Sequence, residues 1–413
     1  MKILLLGDTA DNNYTLKKFS KKIEMRLIDF PKKQDSRLTN LGDREFFDTL
    51  IISKQIKKIK QIKNDFDLCV CLTWAAARIA YFSGMNYVLC FVGDDIINPP
   101  FENNTKPFYG QTTEKLNKKS WIERKFYKKV FDSAIACIAT NHDTYKVLSS
   151  YRKDALRIDH LITDSEIFND KINPINRDKK KFTFFSPQRI GPEKGIERLW
   201  KAISLTESDF EVLQVEWYIQ RTNQEKQFNE KLLENMPSKV KLIPLINRNE
   251  LGKYISFCDG ILGQMETGMQ GAIERDSAFC KKPVLSYTNS SKPSLIDGEE
   301  IIPPFEPKTN DPKIISKMID KVVESAEFRN ELIEKQFSYI KELSEPEFAM
   351  KRWEKCLENI QSKNKSKKRQ RVGLTLFFEM VFFKITEKSI LKKYRDKNIE
   401  LWGKEEYQRL TKD

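Results

Sequence analysis

The stretch GQMETGMQGAIERDSAFCKKPVLSY, residues 263–287, gives the strongest indication of the fold in this chain. Glu266 stands just ahead of Gly268, and Glu274 follows Glu266 by eight positions. This pattern predicts a helix that opens near Gly268 to Met269, whose free N–H groups and dipole would form an anion site for phosphates. Glu274, about two turns inside that helix, would offer a pair of acceptor oxygens suited to the two hydroxyls of a ribose.

A plainer interpretation of the same stretch is a strand, a loop and a helix with two exposed glutamates. The run Ala278–Leu285 is typical of a helix end, a turn and a buried strand under either interpretation. The coincidence of glycines, helix start and carboxylate spacing favours the anion site.

A second stretch, SPQRIGPEKGIERLW at residues 186–200, resembles a strand end, a turn and an amphipathic helix. Arg189 and Lys194 would then lie at the carboxyl end of a strand. Two cations there can neutralise the charge that develops on a departing diphosphate, in place of a metal ion. On this stretch alone, two solvated turn residues are an equally good account, since Arg and Lys are mostly exposed.

Short apolar runs alternate with amphipathic stretches along both halves of the chain, which predicts parallel sheets with crossover helices. A basic amphipathic helix is predicted over Phe46–Ile62. The predicted strands are Ile3–Leu6, Leu68–Leu72, Tyr87–Val92, Ala134–Thr140, Phe182–Phe185, Val212–Ile219, Val240–Ile246, Gly260–Leu262 and Pro283–Tyr287.

The division between the two halves falls in the polar segment NDKINPINRDKK, which we interpret as an inter-domain linker. The predicted units are a first Rossmann-like domain over residues 1–168, a linker over 169–181 and a second Rossmann-like domain over 182–345. A helix over 346–362 would cross back to the first domain. Small-molecule sites in such folds lie at the carboxyl ends of the strands, in the cleft between the domains.

These stretches together resemble the C-terminal domain of the family 4 glycosyltransferases, retaining enzymes of the two-domain GT-B fold. Their signature is an Arg, a Lys-Gly five residues on, and later a Glu-x7-Glu followed by a Gly-x-Pro-Val-like strand. This chain has Arg189, Lys194-Gly195, Glu266 with Glu274, and Lys282-Pro283-Val284. Residues 239–263, 131–148 and 160–168 are also similar to the family, so the resemblance covers most of residues 1–360.

The resemblance implies a metal-independent transfer of a hexose-type unit from a nucleoside-diphosphate sugar, with retention at the anomeric carbon and no cofactor. Arg189 and Lys194 would bind the donor diphosphate, and Glu266 would contact the donor sugar. Glu274 would hold the ribose. The amides of the loop residues Gly268, Met269 and Gln270 would face the phosphates.

The first domain departs from the family pattern in its cleft. Glycine occupies position 93, where family members often place a His, and Asp94 and Asp95 follow as candidates to orient an acceptor hydroxyl or to cap the next turn. Gly7, at the end of the first strand, would fit a loop facing the donor, or an ordinary turn. We interpret the two histidines, His142 and His160, as structural or surface residues.

Two further features of the sequence concern the recognition of the base and the question whether the chain binds a metal. The segment Val212–Arg221 lacks the glycine-bearing strand end that is common in the family, so base recognition is expected to differ. The Asp94–Asp95 pair alone is weak evidence for a metal. Neither histidine has ligand spacing with a cysteine, so we predict no metal site.

The formal net charge of +14 favours an anionic partner: a nucleotide, a nucleic acid or a lipid surface. Nucleic acid ranks lowest, because no recognition motif accompanies the basic residues. Six of the seven cysteines lie in or beside apolar runs and none forms a C-x-x-C pair, so buried free thiols in a reducing, cytoplasmic compartment are expected. The apolar run at the N-terminus is too short for a signal peptide.

A basic and apolar helical tail is predicted over 363–413. Its cations, among them Lys363 and Arg371, precede the apolar segment Val372–Phe383, which is too short to span a bilayer. This arrangement suits peripheral contact with the inner face of the cell membrane through residues 363–385, with help from the lysine-rich segment Lys54–Lys63. Packing of the tail on its own protein or on a second copy is nearly as good an account.

The sequence therefore predicts a glycosyltransferase that acts on a glycan or a lipid-linked acceptor. The missing His keeps open a non-catalytic GT-B scaffold that binds a nucleotide or a membrane partner. A GT-B sugar-nucleotide epimerase is a third possibility, which the Glu-x7-Glu spacing disfavours.

Overall fold

Two parallel β-sheets, each covered by helices, form the two halves of the computed structural model. The structure describes residues 1–31, 42–93, 95–102, 120–159, 162–218, 220, 222–364, 374–393 and 395–412. The Asp94 part of the predicted acceptor pair, His160 and most of the basic cluster after Lys363 lie outside these residues.

The N-terminal sheet has seven parallel strands in the order β3-β2-β1-β4-β5-β6-β7. Its strands are β1 (Lys2–Leu6), β2 (Glu24–Asp29), β3 (Glu45–Phe46), β4 (Leu68–Cys71), β5 (Tyr87–Phe91), β6 (Ala136–Ala139) and β7 (Leu156–Arg157). The helices between them are α1 (Asn12–Phe19), α2 (Ile52–Ile62), α3 (Trp74–Ser83), α4 (Trp121–Ser133) and α5 (His142–Tyr151).

The central strands of this sheet are continuous apolar runs because helices cover both of their faces. Every residue of β4 and β5 is buried, and so are four of the five residues of β1. Burial on both faces is why these strands could be predicted from unbroken apolar runs instead of from an alternating pattern.

The predicted helix Phe46–Ile62 is wrong at its N-terminal end, since α2 begins at Ile52. Phe46 instead belongs to β3, which pairs with β2, and the N–H of Phe47 donates to the Asp29 carbonyl. Phe47 is buried there as a core residue, so its apolar spacing imitates a helical pattern. β2 itself was missed because its sequence, EMRLID, mixes charged and apolar residues.

The C-terminal sheet has five parallel strands in the order β10-β9-β8-β11-β12. Its strands are β8 (Phe182–Ser186), β9 (Phe210–Val215), β10 (Val240–Ile243), β11 (Gly260–Leu262) and β12 (Val284–Leu285), and β13 (Ser294–Ile296) with β14 (Glu299–Ile301) forms a separate antiparallel hairpin. The helices of this half are α6 (Ile196–Ser204), α7 (Asn223–Glu234), α8 (Arg248–Phe257), α9 (Ala272–Phe279), α10 (Pro312–Glu324) and α11 (Ala326–Ser344).

The chain passes twice between the two halves. Ile162 still belongs to a core cluster of the N-terminal half, whereas Phe168 is buried in the core of the C-terminal half. The chain returns through α12 (Pro346–Asn364), whose Trp353 and Leu357 pack into the N-terminal core. The helix that the sequence predicts after Pro346 is thereby confirmed.

Three further helices follow α12: α13 (Leu374–Lys393), α14 (Arg395–Trp402) and α15 (Lys404–Thr411). One side of α13 packs on the N-terminal half through Leu376, Met380 and Phe383. The other side leaves Phe377 and Phe378 exposed. Within the described part of the chain, α13 and the other helices fall short of the length and apolarity that crossing a membrane requires.

All seven cysteines are free thiols, six of them buried and Cys356 partly buried. The prediction of buried free thiols is thus confirmed. Burial raises the pKa of the Cys137 thiol to about 12, so this side chain is an unreactive core residue at neutral pH.

Candidate functional site

The strand order of each sheet reverses at one point, and the two reversal points lie on the cleft between the halves. In the N-terminal sheet the order reverses between β1 and β4, and in the C-terminal sheet between β8 and β11. Ligands of open parallel sheets bind at such switch points, beyond the carboxyl ends of the strands. The loops that follow β1, β8 and β11 are therefore the expected walls of a site.

A cavity of about 540 Å³ lies between these loops and is lined by both halves of the chain. Arg189, Lys194 and Glu274, three residues predicted from the sequence, line it together. Its other linings are Asp8, Thr9 and Ala10 from the N-terminal half and Pro187, Gln188, Val215, Trp217, Leu245, Ile246, Arg248, Leu251, Gly271, Ala272 and Ile273 from the C-terminal half.

A second cavity of about 390 Å³ shares Ala10, Arg189, Lys194, Gly271 and Ala272 with the first. It is the more polar of the two, and its wall in the N-terminal half comes from the ends of β5 and β6. The predicted residues Met269 and Gln270 line it together with Gly93, Asn141, His142, Asp143, Gln264 and Lys292. The shared residues make one continuous site, with an apolar end and a polar end on either side of the two cations.

Lys194 lies where these two cavities meet. Its ammonium donates to Oε1 of Gln264 at 3.4 Å, and burial lowers its pKa, against the attraction of the Glu274 carboxylate. A largely buried ammonium without an ion-pair partner among the described residues gains most from an incoming anion. The position of this side chain is therefore suited to a phosphate.

Arg189 lies beside Lys194 and is more exposed. Its guanidinium is 3.1 Å from the Glu193 carboxylate and stacks over the Trp217 ring at 5.2 Å. The stack holds the planar cation on the cavity wall with its remaining N–H donors open to a ligand.

Glu274 is fully buried at the start of α9. Its Oε1 accepts hydrogen bonds from Nε2 of Gln188 at 2.7 Å and from the N–H of Gln264 at 2.8 Å, and its Oε2 accepts from the N–H of Gly271 at 2.9 Å. Glu274 thus joins the loops after β8 and β11. A carboxylate has about four acceptor positions, so one remains for a ligand hydroxyl.

The predicted helix start near Gly268 is wrong, because α9 begins at Ala272 and Glu274 lies in its first turn. The Gly268 carbonyl accepts from the N–H of Asn289 at 2.9 Å, and the Met269 carbonyl accepts from the Gln264 side chain. These two hydrogen bonds hold Gly268 and Met269 in the loop ahead of α9. The residues that open α9, Gly271, Ala272 and Ile273, line the first cavity together with Lys194. A helix N-terminus is a favourable place for an anion.

Glu266 is not among the residues that line the two cavities. Its carboxylate accepts from Nε of Arg198 on α6 at 2.8 Å. Gly268, with a φ of 70°, turns the loop beside Asn289. The contact of Glu266 with a donor sugar remains a prediction.

In the N-terminal wall, Gly7 has a φ of 73° and directs Asp8, Thr9 and Ala10 into the first cavity. Asp95 does not line either cavity, and its carbonyl accepts from the Trp74 indole at 2.9 Å. His142, which we interpreted as structural or surface, lines the second cavity together with Lys194. Its Nδ1 is buried with no partner in the described structure, and burial lowers its pKa, which favours the neutral ring.

A buried charge network behind the N-terminal wall had no recognisable sequence signal. The Arg44 guanidinium, fully buried, lies 3.0 Å from Asp8 and 2.8 Å from Asp11. Desolvation exceeds the attraction of Arg44 and raises the pKa of Asp8 to about 6. Arg248 lies 3.1 Å from Asp11 and 3.3 Å from Asp276, so it joins the two halves of the chain.

Gln188 and Arg248 are further cavity residues that the sequence did not single out, and Trp217 lies in the segment Val212–Arg221 where base recognition is expected to differ. Gln188 follows the predicted strand Phe182–Phe185, so a search of all polar residues just after that strand would have identified it. In the described structure no three His, Cys, Asp or Glu side chains are grouped so as to hold a metal ion.

No protein-family model matches the chain, and no curated protein matches it in sequence. Solved structures are similar in fold. One is Anabaena Alr3699/HepE in complex with UDP and glucose, with a TM-score of 0.62 and 12% identity over 87% of this chain and 100% of that chain. Another is sucrose-phosphate synthase from Thermosynechococcus elongatus, with a TM-score of 0.61 and 11% identity over 88% and 100%.

A third similar structure is a glycosyltransferase from Rickettsia africae ESF-5, with a TM-score of 0.58 and 12% identity over 87% of this chain and 98% of that chain. At these identities the likeness bears on the fold. The chain therefore has the GT-B fold, two Rossmann-like domains around a central cleft with additional C-terminal helices.

Proposed function

We propose that the chain is a glycosyltransferase that transfers a sugar from a nucleoside-diphosphate sugar, and that it resembles the retaining family 4 enzymes in doing so. The observation that carries this proposal is the meeting of Lys194, Arg189 and the N-terminus of α9 in one inter-domain cavity. The fold supports it, since a similar structure holds UDP and glucose.

We propose one orientation for the donor in this site. The nucleoside lies at the apolar end, against Trp217, Leu245 and Ile246, and its ribose hydroxyls reach the open acceptor position of Glu274. The diphosphate lies between Lys194, Arg189 and the first N–H groups of α9. The sugar then projects into the second cavity, toward Gln270 and His142.

In the reaction, the bond between the anomeric carbon and the diphosphate oxygen breaks while an acceptor hydroxyl oxygen bonds to the same carbon, and the proton of that hydroxyl passes to the departing diphosphate. Negative charge grows on the departing diphosphate, and Lys194 and Arg189 stabilise it more strongly in this half-buried site than in water. Donors already fixed in place need no reorganisation as the charge develops. We propose that these residues make a metal ion unnecessary.

The acceptor enters from the N-terminal wall in this proposal. His142 replaces the cleft histidine that is missing at position 93, because both positions line the second cavity. A neutral ring there accepts a hydrogen bond from a sugar or acceptor hydroxyl. His142→Ala should lower transfer about tenfold or more with unchanged UDP affinity, and an unchanged transfer rate would remove this role.

Binding assays with a panel of nucleotide sugars test the proposal directly, since a ligand of the folded state raises the melting temperature. With the donor that stabilises most, Lys194→Ala should mainly lower turnover, by about 100-fold or more, because the ammonium acts on charge that develops in the transition state. Lys201→Ala, an exposed lysine on α6, is the control.

Three outcomes decide between the alternatives. Wild-type transfer by Lys194→Ala would refute the assigned site. Nucleoside-diphosphate binding without transfer to any acceptor would favour a non-catalytic scaffold. A changed sugar without any acceptor would identify an epimerase.

We also propose that the enzyme works in the cytoplasm, on the inner face of the cell membrane, with a glycan or lipid-linked acceptor. The support is the apolar surface of α13, where Phe377 and Phe378 are 56% and 67% exposed. A chain with a net charge of +14 is attracted to anionic headgroups. Cosedimentation with anionic vesicles should fall for Phe377→Ser/Phe378→Ser, and equal cosedimentation of the variant would refute the contact.

A further inference from the structure

A groove of about 340 Å³ lies between α2, α3 and α13, and its lining has no residue in common with the sugar-nucleotide site. Its floor is apolar and is formed by Ile52, Ile56, Phe82, Met380 and Phe383. We call it the α2–α13 groove. Its volume is within the range of small-molecule sites.

The charged residues that line the α2–α13 groove all carry the same sign. They are Lys54, Lys57, Lys60 and Arg78. Among the described residues, no carboxylate forms an ion pair with any of the four, although Glu379 of the same α13 pairs with Lys129 at 2.8 Å. Cations that no described carboxylate neutralises, grouped around an apolar floor, repel one another and attract an anion.

Two of these cations are held over apolar groups. Arg78 lies over the Phe383 ring at 5.5 Å, and its buried Nε has no hydrogen-bond partner in the described structure. The Lys60 ammonium donates to the Met380 sulfur, a weak acceptor, at 3.6 Å. Burial and the neighbouring Lys63 lower the pKa of Lys60. Nη1 of Arg78 donates to the Tyr127 hydroxyl at 3.5 Å. An anion bound here would accept from the unpaired Nε of Arg78 and would give Lys60 a stronger acceptor than a thioether sulfur.

The exposed apolar side of α13 adjoins this groove. Phe377, Phe378 and Val381 stand on the solvent side of the helix that contributes Met380 and Phe383 to the floor. The apolar floor, the cations around it and the exposed apolar side of α13 lie next to one another. A lipid matches all three, because it has an apolar part and an anionic part and lies in a membrane.

We propose that the α2–α13 groove binds one anionic phospholipid. An acyl chain lies on the floor between Ile56, Phe82 and Phe383, and the phosphate is bound by Lys57, Lys60 and Arg78. The site deepens the membrane contact proposed above and is separate from sugar transfer.

The probe is dihexanoyl phosphatidylglycerol below its micelle concentration, with dihexanoyl phosphatidylcholine as the zwitterionic comparison, titrated into the full chain by calorimetry. We expect saturable one-to-one binding of the anionic lipid, at least about tenfold tighter than that of the zwitterionic lipid. Monomeric lipid separates the groove from adsorption to a vesicle surface. Equal binding of the two lipids, or binding of neither, would overturn the proposal.

Three variants locate the site. Lys57→Gln/Lys60→Gln should lose about tenfold or more in affinity for the anionic lipid. Lys226→Gln/Lys335→Gln, two exposed lysines on α7 and α11, should bind as the wild type does. Met380→Glu places a carboxylate among the cations and should abolish binding while the melting temperature stays within a few degrees or rises. Wild-type affinity in the Lys57/Lys60 or Met380 variant would place the lipid elsewhere.

Stabilisation by a nucleotide sugar and transfer activity, measured on the same preparations, report on the other site. Loss of lipid binding with intact sugar transfer is the result expected for the groove variants. Absence of nucleotide binding in the wild type, with selective lipid binding intact, would refute the proposed transferase and leave the groove standing.

Discussion

Glu274 serves the fold and the proposed chemistry with the same two oxygens. It caps α9, and through Gln188 it fixes the end of β8 against the loop after β11. A side chain so fully bonded before a ligand arrives holds its remaining acceptor position rigidly. Because Glu274 caps a helix and is also proposed to bind the ribose, a substitution of Glu274 alone cannot separate the two effects. A second glutamate that only caps a helix provides the comparison.

The matched residue is Glu225, which caps α7 in the same way and lines neither cavity of the site. Each of Glu274→Ala and Glu225→Ala should cost about 1–3 kcal/mol of unfolding free energy, because buried donors lose their acceptor. Only Glu274→Ala should also weaken binding of the nucleoside diphosphate, by about tenfold or more. Denaturant unfolding and calorimetric titration measure the two effects, and equal loss of affinity in both variants would contradict the ribose role.

Asp8 predicts a pH dependence of stability. Its pKa is about 6 in the folded protein against 3.8 for an ordinary carboxyl, so the folded state holds a proton between these values that the unfolded state releases. The contribution of Asp8 to stability therefore falls as pH rises from about 4 to 6. The unfolding free energy of Asp8→Asn should therefore rise relative to that of the wild type as pH rises from about 4 to 6, by up to about 3 kcal/mol. A constant difference between pH 4 and 7 would show that Arg44 keeps this carboxyl ionised.

At the scale of elements, α6 meets the loop after β11 at Gly195. A Cβ at this position would lie 2.7 Å from the Met265 carbonyl carbon, and the Lys194 carbonyl accepts from the N–H of Met265 at 3.0 Å. The two loops that hold the predicted site thus pack backbone to backbone. The glycine after Lys194 is required for this close approach.

Gly195→Ala is therefore expected to disturb the site as well as the fold. Gly298→Ala is the control, because its φ of 98° is also unfavourable for alanine but nothing lies within 4 Å of the added Cβ. Both variants pay the strain of a positive φ, about 1 kcal/mol. Gly195→Ala should lose about 1–3 kcal/mol more from the steric clash, together with stabilisation by the donor. Thermal unfolding with and without nucleotide sugar measures the stability of each variant and its stabilisation by the donor. Equal values for the two variants would show that the loop after β11 moves to accommodate the added methyl group.

The elements that could be predicted from sequence are strands that are buried along most of their length. β4 and β5 are continuous apolar runs and β8 is rich in phenylalanine, and Arg189, Lys194 and Glu274 follow strands that the pattern identifies. The start of α9 could not be predicted, since the loop ahead of it bonds to Asn289, which is distant in sequence. Arg44 and Arg248 were missed for the same reason, because only the fold brings their carboxylate partners near.

At the scale of the whole molecule, ion pairs span the cleft. Arg248 joins Asp11 to Asp276, and Lys292 lies 2.7 Å from Asp143. Polar interfaces of this kind permit relative domain motion. A transferase needs such motion to admit the donor and then exclude water.

Removing one of these bridges should favour the open arrangement. Arg248→Ala should raise the radius of gyration measured by small-angle scattering and lower the unfolding free energy by about 1–3 kcal/mol, since Asp276 loses its partner. Arg26→Ala breaks an ion pair with Glu45 inside one domain and is the control. An unchanged radius for Arg248→Ala, with and without donor, would show that the bridge does not control closure.

The double passage of the chain also sets an order of events during synthesis on the ribosome. The N-terminal half emerges first, but Trp353 and Leu357 of α12 complete its core, and the Leu410 carbonyl accepts from the N–H of Leu50. The C-terminal half draws its own core from a single stretch of chain that ends near residue 344. The C-terminal half, although translated second, is therefore the first that can complete its fold. The N-terminal half keeps part of its apolar core exposed until residue 410 has left the exit tunnel.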